Sequence, residues 1–339
     1  MLKLKHAIHQ TPEWLTTYSE YFQPEVLSIL LPHHNSYYKK LYFQINHSPC
    51  TRFLSMREIV PLAEGPSDFF DIPCLYGYEE EAANTIANWL VEHSELWDSM
   101  KLGLIPESSP SWKPLVNALS AQGFSPVVGR SEVFYYLDTS GSWEEYANIY
   151  WRRKKRLMKK FHRVERDGYK LEFITIRENV NNYLNVLFNL YAKRRESKDQ
   201  YNTFADPTWQ SFLYAVIQKF EENNMVNIML IKDQNQEIWA IDLNWFMNNI
   251  EYGYSFAFNE KFKKYSPGKI LVYNILKDAF LDPAISEFNF MRGGSVYKSE
   301  FTNQYESYIS IEIQNPHSFR IILQKLVNII IDIRKRILN

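Results

Sequence analysis

Two short segments in the second half of the chain carry residue types that could do chemistry together. The first is Lys263-Lys264-Tyr265-Ser266-Pro267-Gly268-Lys269, a turn that opens an apolar helical pattern. Free backbone N–H groups at a helix N-terminus attract anions, and a glycine there lets a phosphate come close. Lys263, Lys264 and Lys269 add positive charge. The same turn also reads as a plain connection with solvated lysines. The second segment is Phe288-Asn289-Phe290-Met291-Arg292-Gly293-Gly294-Ser295-Val296-Tyr297-Lys298, a strand running into Arg-Gly-Gly and then Tyr-Lys. Open α/β sheets bind ligands at the carboxyl ends of their strands, which suits this run. Its bland reading is a structural Gly-Gly turn, a packed Tyr297 and a surface Lys298.

The elements that must position these segments are clearest in the second half. Leu171–Ile176 alternates as a strand, and Val180–Arg195 and Pro207–Asn223 read as consecutive helices. Strand candidates Val226–Lys232, Glu237–Phe246 and Ile250–Phe258 are separated by polar turns, so they should form an antiparallel meander. A helix from about Lys269 to Phe280, a short strand Glu287–Phe290 and a last strand near Tyr308–Ile313 complete the order. The first half reads as mixed α/β: a helix Pro12–Phe22, strands Leu41–Ile45 and Phe53–Val60, a helix Glu79–His93, a strand Leu96–Ile105, a helix Ser111–Gln122 and a strand Ser131–Leu137. Between the halves, Ser142 to Asp167 reads as one long basic helix stopped by Gly168.

Bulk properties exclude several classes. The 339 residues are long for one core, so two lobes are expected. The net charge of −1 speaks against a general nucleic-acid binder. Cys50 and Cys74 fall in no metal or disulfide pattern, and His33-His34 has no partner motif, so no metal is expected. No GxSxG elbow is present. The start MLKLKHAIHQ lacks a signal-peptide core, and the apolar run Ile321 to Ile333 is too short and interrupted to span a bilayer. A cytoplasmic, bacterial-type enzyme fits these features. The basic helix reads either as an RNA or polyanion contact or as a solvated linker face. The C-terminal apolar stripe (Phe319, Ile322, Leu323, Leu326, Ile329, Ile330, Ile333, Ile337) suits packing, a homodimer or membrane-surface contact.

Taken together, Tyr-Ser-Pro-Gly-x-x-Leu at 265–271, a helix, and then Phe-Asn-Phe-x-Arg-Gly followed by Tyr-Lys-x-x-Phe ending at Phe301 resemble the acetyltransferase domain of the CelD/BcsL type. That family belongs to the GNAT superfamily and is related to the FemAB-type aminoacyltransferases, which pair two GNAT-like lobes. Upstream, Leu62 and Ser67-Asp68-Phe69-Phe70-Asp71, the basic helix after Ser142-Trp143-Glu144-Glu145-Tyr146, and Phe204-Ala205-Asp206-Pro207 resemble the family's other motifs. The similarity covers roughly residues 60–313.

The resemblance implies an α/β mixed-sheet fold of two tandem GNAT-like lobes joined by a long basic helix. The lobes would be 1–140 (degenerate) and 169–315 (the acyltransferase domain), with 141–168 as linker and 316–339 as an amphipathic helix. It implies acetyl-CoA or another acyl-CoA as co-substrate, no metal, and a small-molecule amine as acceptor. Carried onto this chain, Lys263, Tyr265, Ser266, Pro267, Gly268 and Lys269 match the pyrophosphate loop, with Ser266 where the superfamily pattern has glycine. Direct amine attack on the thioester needs a base and an acid. Asp242 and Glu251 are the candidate bases and Tyr297 the candidate acid, while the backbone near Phe256–Phe258 would hold the thioester oxygen. Arg292, Lys298 and Asp68 are candidate substrate-binding residues. Two other readings stay open: a FemAB-like transferase using aminoacyl-tRNA, and a non-catalytic accessory protein keeping the fold.

Overall fold

A computed structural model describes residues 8–32, 38–49, 55–74, 76–151, 155–293, 297–324 and 326. In chain order the elements begin α1 (Pro12–Phe22), β1 (Val26–Pro32), β2 (Tyr38–Pro49), β3 (Ser55–Pro61), α2 (Glu79–Glu92), β4 (Ser99–Pro106), α3 (Trp112–Ala121) and β5 (Val127–Asp138). They continue α4 (Trp143–Trp151), α5 (Lys155–Arg166), β6 (Leu171–Ile176), α6 (Leu184–Glu196), α7 (Pro207–Glu222), β7 (Val226–Asp233), β8 (Ile238–Met247) and β9 (Ile250–Phe258). The last are α8 (Pro267–Leu281), β10 (Glu287–Asn289) and β11 (Tyr305–Gln314).

The chain divides into two compact units, neither of them continuous in sequence. The first holds residues 1–11, 23–133 and 306–339, and the second holds 12–22 and 134–305. The lobes expected from the sequence are contiguous, whereas here α1 belongs to the second unit and β11 pairs with β4 of the first. Backbone pairing between segments some two hundred residues apart leaves no local mark in the sequence.

In the first unit β1, β2 and β3 form an antiparallel meander, β3 pairs parallel with β4, and β4 pairs antiparallel with β11. Ala82, Ile86 and Leu90 of α2 and Leu115 and Leu119 of α3 close its core against Phe43, Ile59, Leu102 and Ile311. Asp98, fully buried, accepts the Arg57 backbone N–H at 2.7 Å and the Ser318 hydroxyl at 2.5 Å, which ties the strand entrance to the chain beyond β11. The sequence reading assigns no element to Val26–Pro32. Its burial alternates, but its exposed face carries Val26 and Leu30, so the apolar–polar alternation that marks a strand in sequence is missing.

In the second unit β7, β8 and β9 form the antiparallel meander the sequence predicts, and β6 joins it antiparallel beside β7; β9 then pairs parallel with β10, and β10 antiparallel with β5. β7 and β8 are buried almost throughout, because helices cover both faces. Side chains alternate along a strand, so Trp245 points to one face and Ala240, Asp242 and Asn244 to the other. On the Trp245 face, Trp14 of α1 and Phe212 and Phe220 of α7 build an aromatic core. On the other face, Ile270, Leu271, Ile275 and Leu276 of α8 pack with Met229, Ala240 and Phe288.

The basic segment expected as one helix is helical over α4 and α5, and residues 152–154 between them lie outside the described residues. Gly168 takes φ +83° just past α5, the left-handed stop the sequence predicts. Half of the C-terminal apolar stripe, from Ile329 on, also lies outside the described residues; of its first part, Phe319, Ile322 and Leu326 are exposed. Among the described residues, no helix is long and apolar enough to cross a membrane.

Candidate active site

The second unit opens where β10 leaves β9. Their parallel pairing covers only Ile250–Tyr252 against Glu287–Asn289. Beyond it, the Phe290 N–H bonds to the Tyr135 carbonyl at 2.9 Å, so the chain stays with β5 while β9 continues alone on that side. A bulge sharpens the divergence: Leu243 faces Ser255 but Asn244 faces Gly253, so Tyr254 is an extra residue in β9. A bulge bends and twists its strand. The backbone of residues 253–258 therefore has an edge without a β10 partner, at the level where the sequence reading places Phe256 and Phe258.

The start of α8 closes against this edge. A Cβ on Gly268 would meet Phe256 Cζ at 2.6 Å, so glycine is what lets the helix terminus come this near. Ser266, the residue before Pro267, takes φ +59°, a left-handed conformation that glycine adopts at no cost. Pro267 has no N–H, and those of Lys269 and Ile270 both turn to the Ser266 carbonyl, at 3.0 and 3.3 Å. The expected set of free N–H groups therefore narrows to that of Gly268. Lys269 pairs with Glu300 at 2.6 Å, and Lys263 with Glu260 at 3.2 Å. Tyr265 is turned inward: its ring packs on Trp239 and Tyr169, and its hydroxyl donates to Asp167 at 2.7 Å. The 3₁₀ turn Glu260–Tyr265 rolls the ring into the core, so only the Tyr265 backbone stands by the turn.

Around the opening the structure gathers Asp242, Tyr297 and Lys298. The Lys298 ammonium, 5% exposed, donates to the carbonyls of Met291 (2.9 Å) and Arg292 (2.7 Å) and faces the Asp242 carboxyl. It fixes a loop in which Met291 and Gly293 have φ of +58° and +104°. Burial pushes the Asp242 carboxyl well above the usual range, nearby Glu251 pushes it further, and Lys298 opposes both. Glu251, fully buried on β9, is raised by burial to about 7 although Asn227 donates to it at 2.8 Å. Burial, with the Asp242 charge, raises the Tyr297 phenol, so it keeps its proton at neutral pH. Arg292 is exposed. Asp68 belongs to the first unit, where its N–H donates to the buried His9 ring at 3.0 Å.

Four residues of this region escape the sequence reading. Arg194 of α6 lies over the rings of Phe256 (5.7 Å) and Phe258 (4.8 Å), with burial and the nearby Arg195 lowering its pKa and the Tyr297 phenol opposing them. In the sequence it is one of three basic residues ending a helix, which reads as ordinary complement to the helix dipole. Asn227, Asn244 and Gly253 join Asp242 and Glu251 on the face under α8. The signal was present: Asp242 and Asn244 are polar at alternate positions of a strand otherwise apolar from Ile238 to Met247. Among the described residues no group of His, Cys, Asp and Glu could hold a metal ion.

Residues 152–299 match the acetyltransferase (GNAT) domain family. The search of curated proteins finds no match. Among solved structures, FemX is similar at 12% identity and a TM-score of 0.59, over 91% of this chain and 92% of that one. A conserved protein of unknown function from Bacteroides thetaiotaomicron VPI-5482 gives 11% and 0.56, over 88% and 89%. The C-terminal domain of a putative lysylphosphatidylglycerol synthetase from Agrobacterium fabrum gives 9% and 0.51, over 92% and 90%. At these identities the likeness is one of fold. The chain is a mixed α/β protein with a GNAT-like fold, and its two units are consistent with coverage of nearly the whole of FemX.

Proposed function

We propose that this protein is an acyl-CoA-dependent N-acyltransferase of CelD/BcsL type, moving an acyl group, in the simplest case acetyl, to an amine of a small metabolite or amino sugar. The observation that carries this is the parting of β9 and β10 beside Gly268, inside the segment matching the GNAT domain. A thioester laid along the free edge of β9 meets backbone groups near Phe256 and Phe258 that can hold its carbonyl oxygen. The anionic end of the donor would lie toward Ser266–Lys269 and Lys263.

The amine nitrogen attacks the thioester carbon, the C–S bond breaks, and the nitrogen's proton must leave. Asp242 and Glu251 are two buried carboxyls that resist carrying two charges at once, so together they hold one proton near neutrality and can take a second. Tyr297 gives its proton to the departing thiolate and is reprotonated from solvent. Arg292, Lys298 and Asp68 remain candidate contacts for the acceptor.

Calorimetry with CoA and acetyl-CoA, followed by mass spectrometry of products from a panel of amines, tests the reading. Binding and an acylated amine are expected. No heat with about 1 mM ligand would sink it. A second reading, an aminoacyl-tRNA donor, draws on the fold likeness to FemX and the basic α5. RNA binding abolished by neutralising Lys159, Lys160 and Arg163 would favour it.

A further inference from the structure

Under α8, four oxygen acceptors lie buried without a hydrogen-bond donor among the described residues: Asn227 Oδ1, Asp242 Oδ1, Asn244 Oδ1 and Glu251 Oε2. All four residues are at most 5% exposed and lie on adjacent strands of one sheet face. The register makes them a continuous series. Asn227 faces Asn244, Asn244 faces Gly253, and Asn227 donates to Glu251 at 2.8 Å. An ideal Cβ on Gly253 would stand 3.6 Å from Asp242 Oδ2 and 3.7 Å from Asn244 Oδ1, so the glycine leaves space between these oxygens and Phe288.

Each unpaired buried acceptor costs on the order of 1–3 kcal/mol, so four in one seam are a heavy penalty unless donors reach them. Water is the donor that fits a polar, connected space of this kind. The seam has two ends. At one, Asp242 faces Lys298 and Tyr297 in the opening between β9 and β10. At the other, Glu251 feels Asp278 and Asp282 of the α8 end and Arg177 beyond β6. Asp278, Arg177 and Thr175 line an open surface cavity of about 550 Å³, where the Thr175 hydroxyl donates to Asp278 at 3.4 Å.

We propose that this seam is a hydrated proton path under α8, taking the proton released by the attacking amine from Asp242 past Asn244 and Asn227 to Glu251, and out to solvent at the Thr175–Asp278 cavity. The proposal rests on the acyltransferase reading for the source of the proton. No bond other than O–H and N–H bonds changes along the path: Asp242 accepts a proton and passes one on, and Glu251 does the same. The product amide and the solvent proton leave by opposite ends of α8, so the acyl site need not open for the proton to escape.

The seam can be tested without turnover. Infrared difference spectra of the wild type against Asp242→Asn and Glu251→Gln isolate the two carboxyl bands. On mixing with D2O both should shift at once, because water reaches them; bands that exchange only as slowly as core amides would overturn the path. In the acylation assay, kcat/KM of the wild type should rise through about pH 7 as Glu251 ionises. Glu251→Gln should lose that limb and about tenfold in rate, keeping any limb set by the amine itself. Gly253→Ala, which fills the space beside Asp242 and sets a methyl 3.1 Å from Phe288 Cζ, should slow turnover. An unchanged pH profile in Glu251→Gln refutes the relay even if acylation proceeds normally. An absence of acylation with every donor refutes the enzyme reading, while the D2O exchange still decides whether the seam is wet.

Discussion

Close contacts of single side chains set the chemistry that the opening between β9 and β10 can support. Gly268 is one such position, since a methyl group there collides with Phe256 at 2.6 Å. Gly268→Ala should weaken acyl-CoA binding about tenfold and cost roughly 1–3 kcal/mol as Phe256 is displaced, read by calorimetry and chemical denaturation. Tyr297 is raised by its burial and so holds its proton in the neutral range, as a general acid must. Tyr297→Phe should lower kcat by about 10²-fold while KM for the donor and the melting temperature stay close to wild type. Unchanged turnover in that variant would remove Tyr297 from the acid role. Lys298 needs a different expectation, because its two bonds to loop carbonyls mean that its removal also frees the Met291–Gly293 turn.

Among the elements, the helices covering the second unit's sheet matter because they hold the strands that diverge. α7 begins with Asp206, whose carboxylate accepts the Thr208 N–H at 2.8 Å, and continues with Pro207 at its first turn. Asp206→Ala should cost about 1 kcal/mol, seen as a Tm lowered by about 2–4 °C with kcat unaltered. This helix packs on the Trp245 face, away from the polar seam, so stability and turnover should separate cleanly here. The bulge at Tyr254 belongs to the same scale. It seats the Tyr254 ring on Trp14 and Trp245, 6.0 and 4.8 Å away, so aromatic packing on one face maintains a strand bend whose consequence appears on the other.

For the molecule as a whole, buried titratable groups link stability to pH in opposite senses. Glu251 has a folded pKa raised from 4.5 to about 7, so the folded state binds more protons than the unfolded one between those values. Its contribution therefore falls as pH rises across that window. His9, buried and held neutral with its pKa lowered from 6.5 to about 3, acts the other way and destabilises the fold as pH drops through that range. Glu251→Gln should flatten the first slope in urea titrations at a series of pH values and leave the acid loss due to His9. Asp71, raised by burial to about 6, and Asp242, raised by burial, keep part of that slope, so a slope identical to wild type in Glu251→Gln would mean that the group is not buried as described.

The sequence alone determined most elements of the second unit, their order along the chain and the meander of β7, β8 and β9. Strand and helix periodicities are local, and the spacing from Tyr265 to Phe301 was enough to suggest where a donor and an acceptor could come together. It also singled out Asp242 and Glu251 as polar groups on apolar strands, while Tyr297 and Lys298 were implied by the family resemblance. Only the tertiary structure decided the rest. It turned Tyr265 into the core, moved α1 and β11 between units, and limited the β9–β10 pairing to three residues. It also set Asn227, Asn244 and Gly253 beside the two acids, and Arg194 over the Phe rings. These are consequences of strand register and of contacts between residues far apart in the chain. A local pattern can state that a side chain is polar, but which other polar group it faces is fixed only when the strands pair.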